Sequence, residues 1–88
     1  MIFITLERFR ARPTKEMVAQ SGRVEKQVVK ESVKILGSYW TLGRYDSVLI
    51  FEAEDEKAAM KALIRASDIV STETLIAMPR EEALKLLE

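Results

Sequence analysis

The sequence predicts an α+β fold: a four-stranded antiparallel sheet in the order βαββαβ, two helices on one face of it, and a short C-terminal helix. Three observations carry this. Four short segments rich in β-branched and aromatic residues are separated by stretches with helical spacing and good caps. Gly43-Arg44-Tyr45-Asp46 joins the second and third of those segments as a tight hairpin turn. The 88 residues suit a single domain, residues 1–88, and a chain of that size buries roughly 60 to 65% of its unfolded surface, enough for one core.

The first strand is read over Ile2 to Phe9, with Ile2, Ile4 and Leu6 on one face and Phe3, Thr5, Glu7 and Phe9 on the other. Thr14 can cap a helix whose apolar side begins at Met17 and Val18, and Ser21-Gly22 offers a break or a second cap. Val24, Val28, Val29, Val33, Ile35 and Leu36 continue the helical spacing, and Gly37 is the natural residue to stop it. Ser38 to Leu42 and Ser47 to Ala53 form the hairpin, in which Val48 and Ile50 alternate with Leu49 and Phe51. Asp55 caps a second helix, Glu56 to Ala66, with a narrow stripe of Ala59, Ala62, Leu63 and Ala66. Ile69 to Met78 is the fourth strand, and Pro79 opens a short final helix with Glu81 and Glu82 in its first turn.

Right-handed crossovers make this order a ferredoxin-like sheet with both long helices on one face. The strands are apolar on both sides, so one face is left uncovered, with Phe3, Phe9 and either Leu49 and Phe51 or Val48 and Ile50 exposed in a monomer. The expectation is a homodimer or higher homo-oligomer whose sheets pack face to face.

Composition narrows the chemistry. The chain has no cysteine and no histidine, which removes disulfides, thiolate nucleophiles, the usual zinc sites, histidine-ligated haem and imidazole catalysis. No cofactor and no metal site is expected. No apolar run reaches the ~18 to 20 residues of a membrane span, and Met1 to Arg8 lacks the pattern of a signal peptide, so no membrane partner and a cytoplasmic location are expected. The absence of Asn, with only two Gln, leans toward a thermophilic source. Net charge is zero, yet residues 1–37 hold eight basic and four acidic side chains and residues 38–88 six and ten. Arg23, Lys26, Lys30 and Lys34 make a basic stripe without interleaved aromatics, which reads as a solvated face rather than a nucleic-acid surface. No phosphate-binding loop is present among the scattered glycines.

Thr41-Leu42-Gly43-Arg44-Tyr45-Asp46, with Phe3-Ile4-Thr5-Leu6 before it and Thr72-Glu73-Thr74-Leu75 after it, resembles the GYD domain family over nearly the whole chain. The resemblance implies the dimeric α/β barrel group, in which two ferredoxin-like sheets close around a shared interior and which includes ligand-sensing domains, oxygenases, isomerases and dismutases. One departure concerns the connection before the last strand: members often carry a glycine there, and this chain has Ala66-Ser67-Asp68.

Few residues invite chemistry. Gly43 is expected to supply a positive φ, and Asp46 to accept hydrogen bonds from nearby turn amides. The functional alternative makes Arg44, Tyr45 and Asp46 a polar cluster at a barrel mouth, with Trp40, Arg44 and Tyr45 as candidate ligand contacts. Tyr39 and Trp40 must point to opposite faces. Glu7 and Glu73 lie mid-strand, where a carboxylate is unusual; two facing one cavity would raise a pKa and create a proton-transfer or carboxylate metal site, whereas edge solubility or an Arg partner is the plainer account. Glu52 to Glu56 reads as a helix N-terminus drawing negative charge.

The leading expectation is a homo-oligomeric binding or sensing module with a small-molecule cavity between packed sheets. One alternative is a cofactor-independent oxygenase- or isomerase-type enzyme using Tyr45, Asp46 and one of Glu7 or Glu73 as acid–base groups. A purely structural assembly protein is the other.

Overall fold

The computed structural model describes residues 1–88. Its elements are β1 (Ile2–Phe9), α1 (Lys15–Lys30), β2 (Lys34–Trp40), β3 (Ser47–Glu52), α2 (Glu56–Ala66), β4 (Val70–Ala77) and α3 (Arg80–Lys85). The strands make one four-stranded sheet in the order β2-β3-β1-β4, and each neighbouring pair is antiparallel. This is the ferredoxin-like α+β arrangement expected from the sequence.

Strand alternation gives the sheet two faces with different fates. Register sets Phe3 beside Phe51 and Ile76, Thr5 beside Leu49 and Thr74, and Glu7 beside Ser47 and Thr72. The helices cover the middle of this face and leave its β4 edge open, where Thr72 and Ile76 are exposed. Phe3 and Phe51, 2% and 1% exposed, stack with ring centroids 5.2 Å apart and pack with Val28 of α1, Ala59 of α2, Val33 and Ala53. Alanines at positions 58, 59 and 62 keep the packed side of α2 narrow, so the helix can lie close to the two rings. Thr5 is also fully buried there, its hydroxyl satisfied by that of Thr74 at 3.0 Å.

Ile2, Ile4, Leu6, Val48 and Ile50 point the other way, together with the exposed Tyr39 and Leu75. The Cα trace is only 16 Å thick in its shortest direction, the depth of a sheet and one helical layer, so nothing covers them. The expectation that Phe3 and Phe9 face away is therefore corrected. Both residue sets of β1 are apolar, and alternation alone does not say which set lies under the helices. Phe3 and Phe51 go inward because their rings fill the space there, while Phe9 is half-buried with its ring edge-on to Trp40 at 5.1 Å.

The first helix is also shorter than its spacing suggests. Thr14 caps it, accepting from the Met17 amide at 3.1 Å, and it runs through Ser21-Gly22 without a break. It ends at Lys30, not before Gly37. The stop is made by Ser32, the one non-glycine residue with positive φ, at 74°. Around it the Ser32 amide donates to the Val29 carbonyl at 3.3 Å and the Val33 amide to the Val28 carbonyl at 3.2 Å. That pair of bonds is a Schellman motif, closed by the buried side chains of Val28 and Val33. Val33, Ile35 and Leu36 thus belong to the β2 region rather than to the helix, and Lys34 leaves the basic stripe. Because serine in the left-handed region is strained by about 1 kcal/mol, Ser32→Gly is expected to stabilise the fold by roughly 0.5 to 1 kcal/mol, read as a higher urea midpoint with an unchanged m-value.

In β2 a bulge falls between Ile35 and Gly37. A Cβ on Gly37 would come within 3.0 Å of the Tyr39 ring, so Gly37 serves to let that ring lie flat over the strand rather than to end a helix. The hairpin strands stop sooner than expected, at Trp40, and the connection runs from Thr41 to Asp46 with Gly43 at φ 112°. The Thr41 amide donates to the Asp46 carbonyl at 2.9 Å and its hydroxyl to the Tyr45 carbonyl at 2.7 Å, which fixes the turn. Asp55 caps α2 through the Ala58 amide at 2.9 Å, and Pro79 stands as the cap of α3.

Candidate functional site

A cavity of about 250 Å³ lies between the sheet and the two long helices. Its walls come from the helix-facing residues of β1, β2 and β3, from Met17 to Val28 of α1, and from Ala62, Leu63 and Ala66 of α2. Most are apolar. The exposed side chains of Val18 and Trp40 mark its open side. Gly22 lines it too, and nothing lies within 4 Å of where a Cβ at that position would sit.

Few polar groups reach this space. Glu7 enters from β1 because it shares the face of Phe3 and Thr5, and Ser47, opposite it in register, donates its hydroxyl to the carboxylate at 2.8 Å. Burial pushes the Glu7 pKa above its usual 4.5; the Ser47 hydrogen bond opposes the shift and the charge of Glu25 on α1 adds to it. Ionisation therefore costs the folded state more than the unfolded one. That cost is absent below the ordinary glutamate pKa, grows as the pH climbs to the raised folded value, and is constant above it. Glu7→Gln, which removes the charge and keeps an oxygen for Ser47, is expected to raise the melting temperature at neutral pH. The gain should vanish in acid below the ordinary value; a melting temperature equal to wild type at neutral pH would count against the burial of this charge.

The remaining candidates lie elsewhere. Tyr45 donates a hydrogen bond to Glu73, and the Arg8 and Arg44 guanidiniums stand 5.6 and 5.8 Å from its ring centre. Glu73 pairs with Leu6 and so shares the uncovered face. The Glu73 hydrogen bond is the main cause holding the Tyr45 phenol above its usual pKa of 10.0. Such a phenol stays protonated at neutral pH and is poorly suited to act as a base. Asp46 neither lines the cavity nor joins this cluster. It accepts from the Phe9 amide at 2.8 Å, while its own amide donates to the Glu7 carbonyl at 2.8 Å. Asp46 thus pins the hairpin to the end of β1, where turn amides had been expected as its donors. Trp40 lines the cavity; Arg44 does not.

The structure therefore brings Tyr45 together with Glu73 and Arg44, and sets Glu7 apart from them on the other side of the sheet. Sequence reasoning missed Ser47 and Glu25 as neighbours of Glu7. A signal existed for Glu25, since Ser21, Glu25 and Val28 follow the inward spacing of α1. For Ser47 the hairpin register was needed. A third polar cluster, Glu31 with Lys61 at 3.2 Å and with Arg65, ties the end of α1 to α2; hydrogen bonding from Gln27 foremost, then from the two cations, lowers the Glu31 pKa to about 2.

The model of the GYD domain matches residues 3–87. The chain belongs to the GYD domain family. Searched against curated proteins, this GYD domain has no match. Its hairpin carries the Gly43-Arg44-Tyr45-Asp46 stretch on which the sequence resemblance rested, now seen as a turn held by Thr41 and anchored by Asp46 to β1.

Proposed function

We propose that this GYD domain is a homo-oligomeric binding or sensing module that takes a small, largely apolar molecule into the cavity between its helices and its sheet. One observation carries the reading: a partly open 250 Å³ space with apolar walls and a hydrogen-bonded, half-buried carboxyl at Glu7. The uncovered sheet face supports the oligomer, and the polar cluster of Arg8, Arg44, Tyr45 and Glu73 at its border suits the rim of an interface. Facing sheets then seal the assembly, and each protomer keeps its own binding space. The sequence placed the cavity between the sheets; the helix side offers one within the single chain. A cytoplasmic setting and a thermophilic source remain part of the proposal.

A thermal-shift screen of small apolar compounds tests it. Binding at about 100 times Kd stabilises by roughly 2.7 kcal/mol, a shift of several degrees for a domain of this size. Gly22→Leu, which places a side chain in the cavity from the middle of α1, should abolish the shift while the domain stays folded. A shift that survives in Gly22→Leu, or no shift with any compound, overturns the reading.

The raised pKa of Glu7 favours a second reading, acid–base chemistry on the bound molecule, with Glu7 in place of the Tyr45 and Asp46 set. Here Glu7→Gln should end turnover while the compound still binds.

A further inference from the structure

We infer that the molecule this cavity takes is an organic amine: one ring or a short hydrocarbon body carrying a single protonated nitrogen. The inference rests on the reading of the cavity as a ligand site and names the ligand's chemistry. Among the residues that line the space, the charged ones are Glu7 and Glu25, both acidic, and neither arginine nor lysine is present. The other polar side chains are Ser21, Ser38 and Ser47, whose hydroxyls can accept from an ammonium. Trp40 adds an aromatic wall, which attracts a cation further.

Exclusion points the same way. A carboxylate or phosphate ligand would meet two acids and no basic partner, so repulsion and lost hydration would act together against it. A neutral hydrocarbon would displace water from Glu7 and give its carboxyl nothing in return. An ammonium offers Glu7 a charge-assisted donor and brings a positive charge into a space where Glu7 and Glu25 repel each other. Size agrees as well: a cavity of about 150 Å³ accepts benzene, so 250 Å³ has room for a ring and a short aminoalkyl arm.

Three probes with a common skeleton separate the possibilities: phenethylamine, phenethyl alcohol and phenylacetate, titrated calorimetrically into the full chain. The amine is expected to bind at least about tenfold tighter than the alcohol, the worth of one charge-assisted hydrogen bond, with phenylacetate weakest. In Glu25→Gln and in Glu7→Gln that preference should shrink by about tenfold while affinity for the alcohol holds. Two substitutions guard against one of them disturbing the fold. If alcohol and amine bind alike, or phenylacetate binds best, the cavity is a ligand site and the amine assignment is wrong. If the preference survives both substitutions, the carboxylates are not its source. If none of the three binds wild type, this inference falls, while the ligand-site reading is decided by the wider thermal-shift screen.

Discussion

Phe51→Ala is expected to lower the urea midpoint of the domain sharply. Phe51 is 1% exposed, lies beside Phe3 on one flank and Ile35 on the other, and stacks on Phe3 at 5.2 Å. Truncating a buried phenylalanine costs about 3 to 5 kcal/mol, the larger figure applying where the surroundings cannot close up. Here they cannot, because the new void opens onto the existing cavity, whose wall Phe51 forms. The whole stability of a domain this size is roughly 4 to 13 kcal/mol, so the loss consumes a large share of it. Phe51→Leu, which keeps an apolar side chain but loses the stacked ring, should cost less than half as much. Urea denaturation followed by far-UV circular dichroism checks both; a loss below about 1 kcal/mol for the alanine variant would mean that this ring is not central to the core.

The element order and both helix N-termini were legible because each rests on local chemistry. Thr14 and Asp55 cap through side chains that any sequence reader can see, and Gly43 takes the positive φ for which glycine is chosen. The end of α1 was not legible for a reason of the same kind. Ser32 occupies a backbone region that favours glycine, while the nearest glycine, Gly37, sits in a strand to make room for a tyrosine ring. The valine spacing at 24, 28, 29 and 33 then carried the helical reading across the real boundary, since Val33 keeps its place in the core after the chain has turned.

The site was harder to read because it depends on register. Glu7 was a candidate from its mid-strand position, yet whether it faced Glu73 or Ser47 is settled only by pairing: Leu6, not Glu7, lies opposite Glu73. That one-residue difference separates the two carboxylates onto opposite faces. It also divides what had been one hypothetical acid–base set into a half-buried carboxyl in an apolar cavity and a half-buried phenol held by an exposed carboxylate on the other face. The two places differ in kind. The first has the enclosure and the electrostatic tension of a binding site, whereas the second has the exposure and mixed charge of a surface that meets another surface.

That division leads to the second large effect, at Ile50. It lies on β3, a central strand, between Ile4 on β1 and Gly37 on β2, at the middle of the uncovered face. In a single protomer a lysine there can lift its ammonium into water, so Ile50→Lys should leave the far-UV spectrum of the folded domain intact. In the proposed sheet-to-sheet dimer it cannot, because the partner's sheet occupies that space. A two-fold interface repeats every substitution, so two ammonium groups are buried together, and the nearest carboxylate of the same face, Glu52 two residues along β3, already stands beside Lys34. The expected weakening is at least about a thousandfold in Kd. Light scattering should then report the wild type at twice the 10.0 kDa chain mass or more, and the variant at 10.0 kDa. A wild type that is already monomeric, or an Ile50→Lys variant that keeps the wild-type mass, would show that this face is not where copies of the chain meet. In that case the apolar stripe of Ile4, Leu6, Val48 and Ile50 would need a different partner to cover it.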